Sequence, residues 1–318
     1  MSSPWLCIMR IASSWTLILM LGAVKGAAGA EQSAGGYNPP TSPNNGDLFL
    51  TDLIDNNKTK EVRNKSRVLE FLLFGVDAFS GFITINKSTK SNLFFLLTEA
   101  QNNRDDAPLL LWTQGGPGQS ALFGQFLENG PVAFDYTKNE SFPFTPRNNT
   151  LQKNMSIIYL DLPFGAGFSF TENKTAYSKS LEEISDSVME FLKQFLKLFP
   201  SYECRDFYVA GESYGARYSV AIADALISNK HNVLLKLKGI ISGNGFLGPI
   251  LETADSSDFL YWTSMLNETG RQNLSDKFQL MRNMSETKKI FDSTYVIADN
   301  ICRCNRKEQN LVSKPHFL

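Results

Sequence analysis

Glycines bracket a serine in Gly211-Glu-Ser-Tyr-Gly215, which follows the short apolar run Phe207-Tyr-Val-Ala210 and precedes a helix-forming run from 216 to 228. A strand-to-helix corner this tight exposes the serine hydroxyl as a hydrolase-type nucleophile. Side chains two positions to either side of the serine would collide across such a turn, so glycine at 211 and 215 meets a steric demand. The same corner sets the Tyr214 N–H beside a reacting carbonyl oxygen, as half of an oxyanion hole. Serine is a weak nucleophile at neutral pH and needs an adjacent base held by a third group. The chain has two histidines. His231, in the polar run Asn229-Lys-His-Asn232 between a helix and a strand, is expected to be solvated, and His316 stands two residues from the end of the chain without the surroundings of a base.

Such a corner has to be carried by a sheet. Strands are expected at Gly81–Ile85, Asn92–Leu97, Leu109–Trp112, Ser156–Asp161, Phe207–Ala210 and Leu237–Ser242; the later ones are nearly continuous apolar runs, as in strands buried on both faces. Between them Ser180 and Glu183 form a capping-box pattern, and Ile184, Val188, Phe191, Leu192, Phe195 and Phe199 recur at helical spacing until Pro200. A second helix is expected from Tyr214 along Ala221, Ile222 and Ala225. Alternating strands and helices of this kind predict an α/β fold, a mostly parallel sheet covered by helices on both faces. Residues 255 to 300 hold amphipathic pieces without further strands, which predicts a helical insertion over the sheet's C-terminal edge.

The 318 residues with a net charge of −1 provide for one large domain or a domain with a subdomain, and show no basic cluster for a nucleic-acid partner. Arg10, the apolar stretch Trp15–Val24 and Ala28-Gly-Ala30 are organised as a secretory signal peptide, residues 1–30, cleaved near Ala30–Glu31; no membrane span is expected after its removal. Residues 31–67 form a leader, flexible in its Gly-, Pro-, Ser- and Asn-rich part to 47, ahead of a core at 68–249 and a helical insertion or cap at 250–318. Sequons at Asn57, Asn64, Asn86, Asn139, Asn148, Asn154, Asn173, Asn267, Asn273 and Asn283 suit the secretory route, Asn154 being the least available because a buried strand follows it. Once Cys7 leaves with the signal, Cys204, Cys302 and Cys304 make an odd count in an oxidising compartment: a free thiol, an intermolecular bridge or an absent partner. Cys302-x-Cys304 is too sparse for a zinc site, so neither a metal nor another cofactor is expected.

Three more segments accompany the serine: Leu111-Trp-Thr-Gln-Gly-Gly-Pro-Gly118 running on to Glu128-Asn-Gly-Pro131, Tyr159-Leu-Asp-Leu-Pro-Phe-Gly-Ala-Gly-Phe-Ser169, and Ile240-Ile-Ser-Gly-Asn-Gly245. In this order and spacing, over residues 68 to 265, the chain resembles the serine carboxypeptidases, an α/β-hydrolase family. Gln114 and the lead-in Ser80-Gly81-Phe82 look most like its vitellogenic-like carboxypeptidase branch. The resemblance implies that Ser213 forms an acyl-enzyme with peptides bearing a free C-terminus, and that the N–H groups of Gly116 and Tyr214 form the oxyanion hole. It further implies that Trp112, Gln114, Gly115, Glu128 and Glu212 receive the substrate's terminal carboxylate. Two glutamates brought together share a proton and can donate it to a carboxylate, which favours mildly acidic, lysosome-like or secretory surroundings. The Asp161-x-Pro163-x-Gly165-x-Gly167 segment is either a strand-exit loop or a substrate contact.

Two departures stand against the resemblance. Gln114 replaces the family's usual Asn, and Gln119 its usual Cys, one end of a common disulfide. The family's Asp and His, which lie far downstream of the serine, find no counterpart among the residues after Ser213. The expectation is therefore an incomplete product or a fragment of a longer precursor, lacking the sheet's last strands, its activity in doubt. A related acyltransferase and a secreted, inactive peptide-binding protein are the competing readings.

Overall fold

The computed structural model describes residues 48–137, 143–228, 231–248 and 255–286. The signal segment, Asn139, Cys302, Cys304 and His316 lie outside the described residues. The described residues fall in two units, 48–246 and 247–286.

The first unit is built on a six-stranded sheet: β1 (Ala78–Asn86), β2 (Ser91–Thr98), β3 (Leu109–Thr113), β6 (Ser156–Leu160), β7 (Asp206–Glu212) and β8 (Lys236–Gly243), in the order β1-β2-β6-β3-β7-β8. β1, β2 and β6 pair antiparallel, whereas β6, β3, β7 and β8 are parallel neighbours. Side chains alternate across the pleat and divide the core in two. Leu109 and Leu111 of β3 join Phe95, Ile158, Phe207 and Val209 on one face; Leu110 and Trp112 join Leu96, Ile157, Tyr159 and Ala210 on the other. A small two-stranded sheet, β4 (Val132–Phe134) with β5 (Phe144–Pro146), pairs antiparallel.

Two short helices, α1 (Thr51–Asp55) and α2 (Thr59–Lys65), occupy residues that composition assigns to the leader; their Ile54 and Val62 are buried in the core. The first face of the sheet is covered by α3 (Leu181–Leu198) and α4 (Gly215–Ile227), the second by short helical turns and β5. Ser180 caps α3 by accepting from the Glu183 N–H, and the Glu183 carboxylate accepts from Lys179 N–H. The α3 stripe is buried along its length. Phe195 packs against the rings of Phe95, Phe191, Phe199 and Tyr202. Phe195→Ala is expected to lower the unfolding free energy by about 3–5 kcal/mol, read from the shift of a urea midpoint, because the neighbours cannot collapse into a ring-sized cavity.

β8 departs from expectation. It is as apolar as β7 but, among the described residues, lies at the sheet edge, paired on one side only, and Ile240 and Ile241 are each 42% exposed. Its burial is set by its neighbours rather than by its own sequence. Asn154 also differs from its reading: it is exposed at the end of a 3-10 turn, where its Oδ1 accepts from Asn102 Nδ2. Among the described residues Cys204 is exposed and has no bridging partner.

The second unit contributes α5 (Ser257–Trp262) and α6 (Glu268–Glu286). Arg271 of α6 donates to Asp258 at 2.9 Å and lies over the Tyr261 ring, tying the two helices together. Among the described residues no helix is long and apolar enough to cross a membrane.

Candidate active site

The parallel strands bring their C-terminal ends to one level. Thr113 of β3 faces Gly211 of β7, and Glu212 of β7 faces Gly243 of β8. The chain then turns sharply at Ser213, whose φ of 53° lies in the left-handed region. Few non-glycine residues adopt this conformation, and at a nucleophile it lifts the hydroxyl clear of the strand. The corner is held by backbone: Ser213 N–H donates to Gly243 C=O at 2.9 Å, and Ser213 C=O accepts from Phe246 N–H at 3.0 Å. A Cβ on Gly211 would lie 2.1 Å from the Gly215 carbonyl oxygen, and one on Gly215 2.7 Å from that of Thr113.

The glycine-rich loop after β3 rests directly on this corner. A Cβ on Gly115 would sit 2.8 Å from Ser213 Cβ and 3.2 Å from Ser213 Oγ. Gly116 has φ +110°, a conformation that side chains rarely adopt. Neither Gly116 N–H nor Tyr214 N–H has an acceptor among the described residues, leaving both donors unspent at the serine corner.

Beside the serine is a carboxyl pair. Gln114, buried at the end of β3, accepts from Trp112 Nε1 at 2.8 Å through its Oε1. That bond fixes its amide so that Nε2 donates to Glu212 Oε2 at 2.5 Å and to Glu128 Oε1 at 3.4 Å. Gly124 makes room for this: a Cβ there would lie 2.3 Å from Trp112 Nε1. Glu128 ends the π-helical turn Gly124–Glu128 and is hydrogen-bonded to Glu212. Burial first, then the bond to and charge of Glu212, push the Glu128 carboxyl up to about 8.

Thus Trp112, Gln114, Glu128 and Glu212 form one hydrogen-bonded group, with Gly115, Gly116, Ser213 and Tyr214 adjoining it through the glycine loop and the corner. Three further residues support the site. Arg147, just past β5, donates to the carbonyls of Gln125, Phe126 and Gly130 and so fastens the turn that carries Glu128. Tyr159 OH donates to Asn129 Oδ1 at 2.8 Å, holding the residue after Glu128. The Asp161 carboxylate turns inward to the glycine loop, and burial pushes it up to about 6 against the pull of its three donors. Arg147 has no local sequence signal, since it acts on residues 17 or more positions away; the segment that holds Tyr159 and Asp161 is legible, but not what either side chain touches.

The histidine available among the described residues is not at the serine. His231 is half-buried rather than solvated, and its Nε2 lies 2.9 Å from Asp186 Oδ1 on α3. The length of α4, about 20 Å at 1.5 Å per residue, separates the chain at Ser213 from the chain that carries His231.

The family model described as serine carboxypeptidase matches residues 70–315. A vitellogenic carboxypeptidase of Aedes aegypti is 39% identical over 229 residues, covering 72% of this chain and 48% of the relative. A venom serine carboxypeptidase of Apis mellifera is 39% identical over 234 residues, covering 73% and 49%. Among solved structures, a prohormone-processing carboxypeptidase from Saccharomyces cerevisiae superposes with a TM-score of 0.59 at 23% identity, over 72% of this chain and 52% of that one; it shares the fold. The chain spans about half the length of the curated relatives it matches.

Proposed function

The chain belongs to the serine carboxypeptidase family, and on that premise we propose that it binds peptides by their free C-terminus and presents their last peptide bond to Ser213 for acyl transfer. The observation that carries this reading is the Glu128–Glu212 pair, joined by Gln114 and adjacent to the nucleophile corner. A carboxyl that keeps its proton to about pH 8 can donate a hydrogen bond to a peptide carboxylate, where an arginine would be the usual partner. The free N–H groups of Gly116 and Tyr214 suit the oxyanion that forms when Ser213 Oγ attacks the carbonyl carbon. The leaving group is then the amine of the terminal residue, and water releases the acyl group. Both proton transfers require a base, which is not among the described residues around Ser213.

A second reading is a peptide-binding protein without turnover. Both readings share the recognition step and part at the covalent one. Isothermal titration of the mature chain with an acyl-dipeptide and its C-terminal amide tests the shared step: the acid is expected to bind at least about tenfold tighter, in line with loss of a charge-assisted hydrogen bond. Equal affinities count against both readings. Release of the terminal amino acid from the same acid then separates them, since a binding protein leaves it intact.

Secretory-pathway residence, with cleavage of residues 1–30, belongs to this proposal. It is supported by the exposure of every described sequon asparagine, from Asn57 to Asn283.

A further inference from the structure

Asp161 is fully buried at the end of β6, one strand away from the serine corner. Its Oδ1 accepts from Ser120 Oγ and from Ala121 N–H, each at 2.7 Å, and its Oδ2 accepts from Phe168 N–H at 2.8 Å. Its own carbonyl accepts from Ser169 Oγ, which in turn accepts from Phe94 N–H of β2. The carboxylate is therefore fixed from the strand side and spends both oxygens on two loops. One is the loop that leaves β3 through Gly115, Gly116 and Gly118.

Apart from the packing of Ala121 in the core and the contact of Gly115 with the serine corner, that loop has few bonds to hold it. At its start it is continuous with β3. Beyond this, among the described residues, the hydrogen bonds that leave residues 115–121 for another strand all go to Asp161; the remainder, such as Gln119 N–H to Gly115 C=O, are local. Glycines at 115, 116 and 118 contribute no side chain and give the loop the largest conformational freedom available to a backbone. Gly167 is shaped to the arrangement: a Cβ there would lie 2.0 Å from Asp161 Oδ2 and 2.8 Å from Ser120 Oγ.

We propose that Asp161 is a positioning residue for the acylation step: by anchoring Ser120 and Ala121 it fixes the Gly115–Gly118 loop against Ser213 and aims the Gly116 N–H. The inference rests on the reading of Ser213 as nucleophile. It separates two functions of the site. The carboxyl pair stands on β3, β7 and the turn held by Arg147, whereas the far end of the glycine loop depends on Asp161.

Asp161→Asn tests this with little change in volume. Whichever way the amide is turned, its NH2 faces a backbone N–H, that of Ala121 or that of Phe168, so one donor loses its acceptor. Three measurements on the full chain are compared with wild type: amide hydrogen exchange by mass spectrometry, the rate of Ser213 labelling by a fluorophosphonate, and affinity for an acyl-dipeptide with a free carboxylate. Exchange in 115–121 is expected to quicken about tenfold with β2, β3 and β6 unchanged, labelling to slow by about tenfold or more, and peptide affinity to stay within twofold. Ser120→Ala, which removes one of the carboxylate's three bonds together with the local bond from Leu122 N–H, is expected to give a smaller change of the same kind should Asp161→Asn fail to fold. Unchanged exchange and labelling overturn the proposal. So does faster exchange across the whole sheet with peptide affinity lost in parallel, the mark of a merely structural residue. If wild type itself takes no label, the nucleophile reading fails separately, and the anchoring stands or falls on the exchange at 115–121.

Discussion

Gly211→Ala is expected to cost more than about 4 kcal/mol of unfolding free energy or to prevent folding outright, whereas Gly239→Ala, on the neighbouring strand, changes stability by about 1 kcal/mol or less. The contrast lies in what a methyl group meets. At 211 a Cβ would stand 2.1 Å from the Gly215 carbonyl oxygen, 2.2 Å from its carbon and 2.7 Å from Ala216 N, all backbone atoms at the start of α4. None can move without opening the corner or shifting the helix, and α4 is seated in the core through Tyr218 and Ile222. At 239 the nearest atoms belong to the Tyr208 ring at 3.6 Å, an ordinary contact. Urea unfolding of both variants decides the matter. A Gly211→Ala protein that unfolds like wild type would show that the serine corner is not built as described.

The corner could be read from sequence because its demand is local. Two glycines and a serine within five residues, entered from an apolar strand and left by a helix, state their geometry without help from the rest of the chain. The α3 stripe and the paired strands were legible for a similar reason, since periodicity is a property of one segment. What is supplied by neighbours was not. β8 reads as apolar as β7, yet its exposure follows from having one partner instead of two. The small sheet of β4 and β5 has strands of three residues with Pro131, Pro143 and Pro146 at or beside them, too short for any alternation to register. Residues 51–65 look like solvated chain because Lys58, Lys60, Glu61, Arg63 and Lys65 crowd them, and the burial of Ile54 and Val62 becomes visible only once the helices are folded onto the core.

The candidate site divides along the same line. Glu128, Gln114 and Glu212 come from three separate elements, and only the resemblance to a family joined them in advance. The roles of that group's supports, Arg147 on three carbonyls and Tyr159 on Asn129, carry no spacing, although Tyr159 itself opens a segment that resembles the family. Their part lies in satisfying the polar groups near the pair. A buried carbonyl at the end of a helical turn needs a donor, and a guanidinium reaching back from β5 provides it.

Affinity for a peptide with a free C-terminus is expected to stay level between about pH 5 and 7 and to fall about tenfold for each unit above about 8, while the amide of the same peptide binds without this dependence. The sign follows from Glu128. Its folded-state pKa, about 8, lies above the ordinary 4.5, so folding favours the protonated form, the form that the proposed bond to a peptide carboxylate requires. The stability it contributes is fully present below about 4.5 and is lost as pH rises through about 8. Above that point the Glu128–Glu212 pair carries two negative charges, offers no proton to a third carboxylate, and repels it. Below about pH 3.5 the peptide's own carboxyl protonates and the charge-assisted bond weakens, which closes the profile on the acid side. Glu212→Gln removes the charged partner and leaves burial as the main cause holding Glu128 up, so the alkaline limb should move to lower pH. Isothermal titration of the acid and amide peptides between pH 5 and 10, for wild type and Glu212→Gln, supplies the comparison. An acid-peptide affinity that holds or grows from pH 7 to 10 in wild type would remove the shared proton from the account of recognition.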